Sequence, residues 1–216
     1  MREYSKTENL YKRNPKNKSQ LLVGEYTRPE FNHIVSWWVT EKVDGTNVRL
    51  WFDKDENSNY GGRTDNAHFS PVQQEFMENL RDSLKDKAVA LIHEFGIDEL
   101  LIFGELYGPK ILSGGNYSER LEFRAFDMMV NDKVWLAPDA VNKNAERLGV
   151  EMVPYLGMMT TAQIFFMVAG GFKSTFARNK DFDAEGVIAQ PAVNLYDQRG
   201  ERVKFKLKHN DLKHVS

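Results

Sequence analysis

Ile34-Val35-Ser36-Trp37-Trp38-Val39-Thr40-Glu41-Lys42-Val43 runs directly into Asp44-Gly45, and Asn47-Val48-Arg49-Leu50-Trp51-Phe52 follows. Aromatic and β-branched residues dominate both runs, a composition that suits a pleated, half-buried surface. Asp-Gly between two such runs is a turn signal. The stretch predicts two strands joined by a tight connection, with Lys42 at the end of the first. Taken alone, a lysine before such a turn is a solvated hairpin residue. At the end of an apolar strand its amine is also partly desolvated, which favours the neutral, nucleophilic form.

Outward from this pair, Tyr60-Gly61-Gly62-Arg63-Thr64 reads as another strand edge and turn. Ser70-Pro71 opens a helix whose apolar positions (Val72, Phe76, Leu80, Leu84, Ala88, Leu91, Ile92 and Phe95) fall near helical spacing until Gly96 stops it. Residues 100–106 and 121–130 read as strands. Residues 138–148 read as a helix ended by Gly149, and 160–169 as a short apolar helix closed by Gly170-Gly171. Residues 185–190 and 201–208 read as the last strands. Residues 1–20 hold Lys6, Lys12, Arg13, Lys16 and Lys18 with almost no apolar pattern, so they read as a solvated arm or as a basic strip for phosphates. No repeat or linker interrupts the chain. The expected fold class is α+β, strand-rich, in a single domain over 1–216.

The 216 residues are 41% apolar and 28% charged, enough to build a core without a staple. Cysteine is absent, which excludes a disulfide scaffold, a thiol nucleophile and thiolate metal sites. No apolar run approaches a membrane span, and the polar, Lys-rich start lacks the apolar core of a signal peptide. The expectation is a cytoplasmic protein. With a formal charge of −2, any nucleic acid must be held by local basic patches.

Four further stretches could carry chemistry. In Phe103-Gly104-Glu105-Leu106-Tyr107-Gly108, a glutamate sits inside an apolar strand, where burial is costly without a partner. Phe123-Arg124-Ala125-Phe126-Asp127 is an aromatic strand ending in a carboxylate. Asp183-Ala184-Glu185-Gly186-Val187-Ile188 leads two carboxylates into an apolar strand, and oxygen ligands suit Mg²⁺. In Val203-Lys204-Phe205-Lys206-Leu207-Lys208, strand alternation puts three lysines on one face, which suits polyphosphate. The five histidines are scattered without metal-ligand spacing and read as structural or surface residues.

Singly, each stretch has an ordinary structural explanation. Their order (KxDG, a strand glutamate, an aromatic-FD strand, EG-aliphatic, KxK) resembles the motif ladder of the covalent nucleotidyltransferases, the ATP-dependent DNA and RNA ligases and mRNA capping enzymes. The likeness runs from about Glu41 to Lys208. It is most similar to the RNA ligase 2 type, whose KxxGTN appears as Lys42-Val43-Asp44-Gly45-Thr46-Asn47, whose RT dipeptide appears as Arg63-Thr64, and whose GELYG spans Gly104 to Gly108. Fewer than a dozen residues follow the KxK strand, so neither an OB domain nor the family's other C-terminal domain is expected.

The resemblance implies a nucleotidyltransferase (adenylyltransferase, ATP-grasp-like ligase) domain of antiparallel sheets flanked by helices. It implies that Lys42 forms a lysyl-AMP intermediate from ATP with Mg²⁺ or Mn²⁺, that AMP passes to a 5′-phosphate RNA end, and that the end is sealed to a 3′-OH. Lys204 and Lys206 would hold the α-phosphate, with Lys206 and Lys208 as the other register. Glu185 would join the metal site and Glu105 would accept from the ribose. Phe126 would stack on adenine and Glu41 would read its edge. Asn47 and Arg63 would meet ATP phosphates or nucleic-acid ends. The implied partners are RNA ends or a nicked duplex, RNA or RNA/DNA hybrid. The implied protein is a monomer that does not engage membranes and acts in RNA repair, in the manner of phage-encoded ligases. The alternatives are a minimal ATP-dependent DNA ligase, against which Asn47 argues, a GTP-using capping enzyme, and a non-catalytic RNA-end-binding module.

Overall fold

The computed structural model describes residues 1–215. The chain groups into two compact units, one comprising Met1–Ser5 and Asp44–Met152, the other Lys6–Val43 and Val153–Ser216. Among the described residues twelve strands follow in chain order: β1 Glu8–Asn9, β2 Tyr11–Arg13, β3 Leu21–Tyr26, β4 Trp37–Glu41, β5 Thr46–Asp53, β6 Ser58–Gly62, β7 Glu99–Tyr107, β8 Glu122–Val130, β9 Val134–Trp135, β10 Tyr155–Met159, β11 Gly186–Gln190 and β12 Phe205–Lys208. The helices are α1 Pro71–Phe95, α2 Pro138–Leu148, α3 Thr161–Gly170 and α4 His209–Leu212. The fold is α+β, and every strand pairing is antiparallel except β1 with β12.

The first unit is one five-stranded sheet, β6-β5-β7-β8-β9, with α1 and α2 on one face. Helix α1 begins where expected because Ser70 and Gln73 form a capping box and Pro71 occupies the first turn; it ends where Gly96 turns left-handed, with φ 61°. Met77, Leu84, Ala88, Leu91 and Ile92 pack on Val48, Leu50, Leu100 and Ile102 of the sheet. Val72 and Phe95, expected on that face, are exposed at the two helix ends. The opposite face of the sheet carries a smaller cluster in which Leu101, Phe103 and Met129 meet Tyr4, Trp51, Phe126 and Trp135.

The second unit holds the sheet β1-β12-β11-β4-β10 and the hairpin β2-β3. Trp37, Val39, Val187, Ala189, Phe205 and Leu207 form its core with Ile164 and Val168 of α3. Three expectations change in this unit. Residues 1–20 are not a solvated arm: Leu10 and Tyr11 are buried and the segment contributes two strands. The last strand begins at Phe205 rather than Glu201, because residues 195–203 fold back on themselves around a turn in which Asp197 Oδ1 accepts from Arg199 and Glu201 N–H groups. Edge strand β10 joins the sheet beside β4 although no strand was expected there.

Candidate active site

In the second unit, β4 delivers Lys42. Its backbone N–H donates to the Gly186 carbonyl at 2.9 Å, which extends the β4–β11 pairing one residue past the strand. Gly186 has φ 151°, and a Cβ there would collide with the Leu207 carbonyl, so only glycine lets β11 start against β12 at this point. That start aims the preceding side chain, Glu185, at the lysines. Lys42 Nζ donates to Glu185 Oε2 at 2.5 Å, and Lys208 Nζ pairs with the other carboxylate oxygen. The two partners of the first pair keep only 21% and 14% of their side-chain surface exposed.

Lys206 lies one step along the same face of β12. Burial, and then the charges of Lys208 and Lys42, pull its amine down from 10.5 to about 8. Lys204 precedes the strand and is buried. The structure therefore gathers Lys42, Lys206, Lys208 and Glu185. Asp183, expected to share a carboxylate cluster with Glu185, is instead exposed and paired with Lys173 at 2.8 Å, which holds its carboxyl below the usual range.

Glu41, beside Lys42, is 1% exposed. Its Oε2 accepts from the Thr175 N–H at 2.9 Å and from the Thr175 hydroxyl at 2.8 Å, while Oε1 is buried without a hydrogen-bond partner among the described residues. Sequence reasoning missed Thr175. The signal was indirect: a carboxylate at the buried end of a strand needs a donor from somewhere.

In the first unit, β5 and β7 place Asn47 directly opposite Glu105. Gly45 is required in the turn before β5 because a Cβ there would run into the Leu106 carbonyl. Asp44 is anchored on both sides: its N–H donates to the Tyr117 hydroxyl at 3.1 Å, and its Oδ2 accepts from the Ser113 N–H at 3.3 Å. Asn47 Oδ1 is a second buried oxygen without a hydrogen-bond partner among the described residues. Phe126 sits where the β7–β8 register shifts, with Phe103 opposite Asp127 and Gly104 opposite Ala125. This bulge turns the Phe126 ring towards Tyr4, 5.0 Å away between centroids. Tyr4 also donates its hydroxyl to Asp127 Oδ2 at 2.7 Å. Tyr4 lay in the stretch read as an arm, so its part in this aromatic face was not foreseen. Arg63 follows β6, exposed, and donates to the Tyr4 carbonyl at 3.3 Å.

Buried acceptors without donors are costly, and a nucleotide offers donors of the needed kind, the exocyclic amine of its base and the hydroxyls of its ribose. The orphaned oxygen of Glu41 in the second unit and that of Asn47 in the first each suit a donor of this kind. For a divalent ion the fit is partial. No three His, Cys, Asp or Glu side chains gather among the described residues. Mg²⁺ commonly takes one or two protein carboxylates plus substrate phosphates and water, and Glu185 is the carboxylate in the lysine cluster. No helix among the described residues is long and apolar enough to cross a membrane.

Comparison with known proteins bears on this arrangement. None of the curated proteins compared matches the chain. Among solved structures, a mutant of the Naegleria gruberi RNA ligase in apo form is 19% identical, with a TM-score of 0.67 over 95% of this chain and 55% of that one. A second mutant of that ligase, with ATP and Mn, is 18% identical, with a TM-score of 0.67 over 98% and 57%. A third, with AMP and Mn, is 19% identical, with a TM-score of 0.64 over 87% and 54%. At such identities the likeness concerns the fold, and the chain spans little more than half the length of these relatives. A family model described as RNA ligase matches residues 35–208, from before β4 to the end of β12, and the chain belongs to that RNA ligase family.

Proposed function

We propose that this chain is an ATP-dependent RNA ligase that works through a lysyl-AMP intermediate on Lys42. The observation that carries the reading is the convergence of Lys42 and Lys208 on Glu185 across three adjacent strands, with Lys206 one step along the same face of β12 and within the field of both lysines. A free lysine amine titrates near 10.4 and is almost wholly protonated at neutral pH. The Lys42 amine must therefore give up a proton before it attacks, and it lies beside charges that suit phosphates.

In the proposed first step the Lys42 amine attacks the α-phosphorus of ATP, a P–N bond forms, and pyrophosphate leaves. Lys206 and Lys208 serve as the KxK pair that neutralises the phosphoryl oxygens, a positioning and charge role typical of phosphoryl transfer. Glu41 and Asn47, with their unpartnered oxygens, accept from the nucleotide, Glu105 accepts from its ribose, and Phe126 supplies an aromatic face for its base. Mg²⁺ or Mn²⁺, held by Glu185 with the phosphates, would add positive charge where negative charge develops. AMP then passes from Lys42 to a 5′-phosphate RNA end, and a 3′-OH displaces it. That relatives of this fold are solved with ATP, AMP and Mn supports the choice of nucleotide and metal.

Incubation with radiolabelled ATP or GTP and Mg²⁺, followed by a denaturing gel, tests the proposal. ATP should give a labelled band near 25 kDa and GTP should not. No covalent label with ATP would overturn the reading, and label with GTP in its place would point to a capping enzyme.

A further inference from the structure

We infer that the β2–β3 hairpin is an RNA-backbone contact surface built onto the lysine-bearing sheet, holding substrate phosphates a few nucleotides from Lys42. The inference rests on the ligase reading of the Lys42 cluster and says where that enzyme holds its polymer.

Charge is the first observation. Five cations and two carboxylates give residues 6–26 a formal charge of +3, whereas the whole chain carries −2. Among the described residues Lys6, Lys16 and Lys18 form no ion pair, and all three are exposed. Lys12 is exposed and meets Glu25 at 3.6 Å, a surface pair of little strength. A local positive field on an acidic protein focuses a polyanion onto one place.

Rigidity is the second. Arg13, although exposed, is tied into the hairpin. Its guanidinium donates to the Lys18 carbonyl at 2.6 Å and makes two bonds to Asp211, at 3.1 and 3.2 Å. Asn14 and Asn17 side chains accept from the Lys16 and Ser19 N–H groups and set the loop. His214 contacts the Leu21 carbonyl at 3.0 Å and fastens the far strand. Lys12 in β2 and Lys16 and Lys18 in the loop are thus presented on a preformed hairpin, and less ordering is needed when phosphates bind.

Position is the third. β1 pairs with β12 so that Asn9 stands opposite Lys206, and the Leu10 N–H donates to the Lys206 carbonyl at 3.1 Å. The chain enters the hairpin from that strand. The sheet order β1-β12-β11-β4 leaves three spacings of about 4.8 Å between β4 and β1. At roughly 3.4 Å of rise per nucleotide this spans about four nucleotides. Lys6 and Arg13 also act on Lys206 electrostatically, so the positive field is continuous from the hairpin to the cluster.

The test is salt-dependent binding of a nicked RNA duplex by the full chain, parent against a Lys12→Ala/Lys16→Ala/Lys18→Ala variant. Each lost duplex phosphate contact should flatten the slope of log affinity against log salt by about 0.9, so the variant slope should be shallower by about 2 to 3. A Lys12→Arg/Lys16→Arg/Lys18→Arg variant keeps the charge and should keep the slope. A Lys54→Ala/Lys133→Ala/Lys143→Ala variant loses equal charge elsewhere and should also keep it. An unchanged slope in the hairpin variant, or an equal flattening in the control, overturns the inference. A rise in KM for ATP with RNA binding unaltered also overturns it, by assigning the lysines to the nucleotide. If the triple variant unfolds, Lys16→Gln/Lys18→Gln at the exposed loop replaces it, with an expected flattening of about 1 to 2. ATP labelling of the parent is read separately: without it the ligase reading fails, whatever the salt slope.

Discussion

Glu185 Oε2 lies 2.5 Å from the Lys42 amine, and its second oxygen receives Lys208. In the proposed mechanism the pair orients Lys42 and must loosen before the amine attacks phosphorus. Glu185→Ala should lower the rate of lysine adenylation by about 10²–10³, the usual cost of losing an electrostatic contact used mainly in the transition state. Single-turnover labelling across a Mg²⁺ titration measures it, and a variant within threefold of the parent throughout would remove Glu185 from the mechanism.

Lys42→Ala should abolish the covalent AMP adduct and leave the fold intact, because the backbone N–H bond to Gly186 survives the substitution. The same variant should still join RNA supplied with a ready-made 5′-adenylated end, since that step needs no lysine nucleophile. Labelling and end-joining assays on one preparation separate the two, and retained labelling would move the nucleophile elsewhere.

The register of the KxK pair is open to direct measurement. Lys206→Ala and Lys208→Ala should each cut adenylation at least about 100-fold. Lys204, buried before β12, should act chiefly on stability, so Lys204→Ala should lower the melting temperature more than it lowers labelling per folded molecule. If Lys204→Ala melts like the parent but does not label, Lys204 and Lys206 form the pair.

Lys206 also makes stability depend on pH. Unfolded, its amine titrates near 10.5; folded, burial and neighbouring lysines bring it to about 8. Between those values the unfolded chain holds a proton that the folded chain lacks, so this residue's contribution falls as pH drops from about 10.5 to about 8 and stays low beneath that. Lys206→Met removes the effect. Relative to the parent, the variant should gain stability at pH 7 compared with pH 10.5 in urea melts. An equal difference at both pH values would rule out Lys206 as the source of the dependence.

Arg63 is exposed and bound to the Tyr4 carbonyl. Arg63→Ala should slow sealing of pre-adenylated RNA more than it slows lysine adenylation. Equal losses in both rates would assign the guanidinium to the nucleotide.

Helices α1, α2 and α3 were legible in the sequence because their ends are chemically marked: Ser70 with Gln73, Thr160 with Gln163, Gly96 and Gly149; the four-residue α4 carries no such mark and was not read. Lys42, Glu105, Phe126 and Glu185 stood out in the sequence as motif residues, and of these the structure pairs Lys42 with Glu185. Strand β10 was not, because its Tyr-Leu-Gly-Met-Met has little β-branched character and gains its form from pairing with β4. β1 and β2, of two and three residues, are too short to show a period. Thr175 and Tyr4 were invisible for a related reason: each acts on a residue over a hundred positions away, on Glu41 and Asp127, and local pattern carries no trace of such a bond.

The parallel pairing of β1 with β12 has a consequence for biosynthesis. Glu8 and Asn9 find their partners only at Phe205 and Lys206, and β4 is flanked by β10 and β11 from the last third of the chain. Residues 44–152, by contrast, supply every strand of the other sheet from one contiguous stretch. Closing long loops delays non-local pairing. On the ribosome, the nascent chain can complete the sheet of β5 to β9 while the strand bearing Lys206 and Lys208 is still unmade. Competence to accept AMP is therefore expected to arise only once β12 has emerged and paired. Stalled nascent chains ending before Phe205 should resist proteolysis over residues 44–152 while taking up no label from ATP, and labelling of such chains would refute that order.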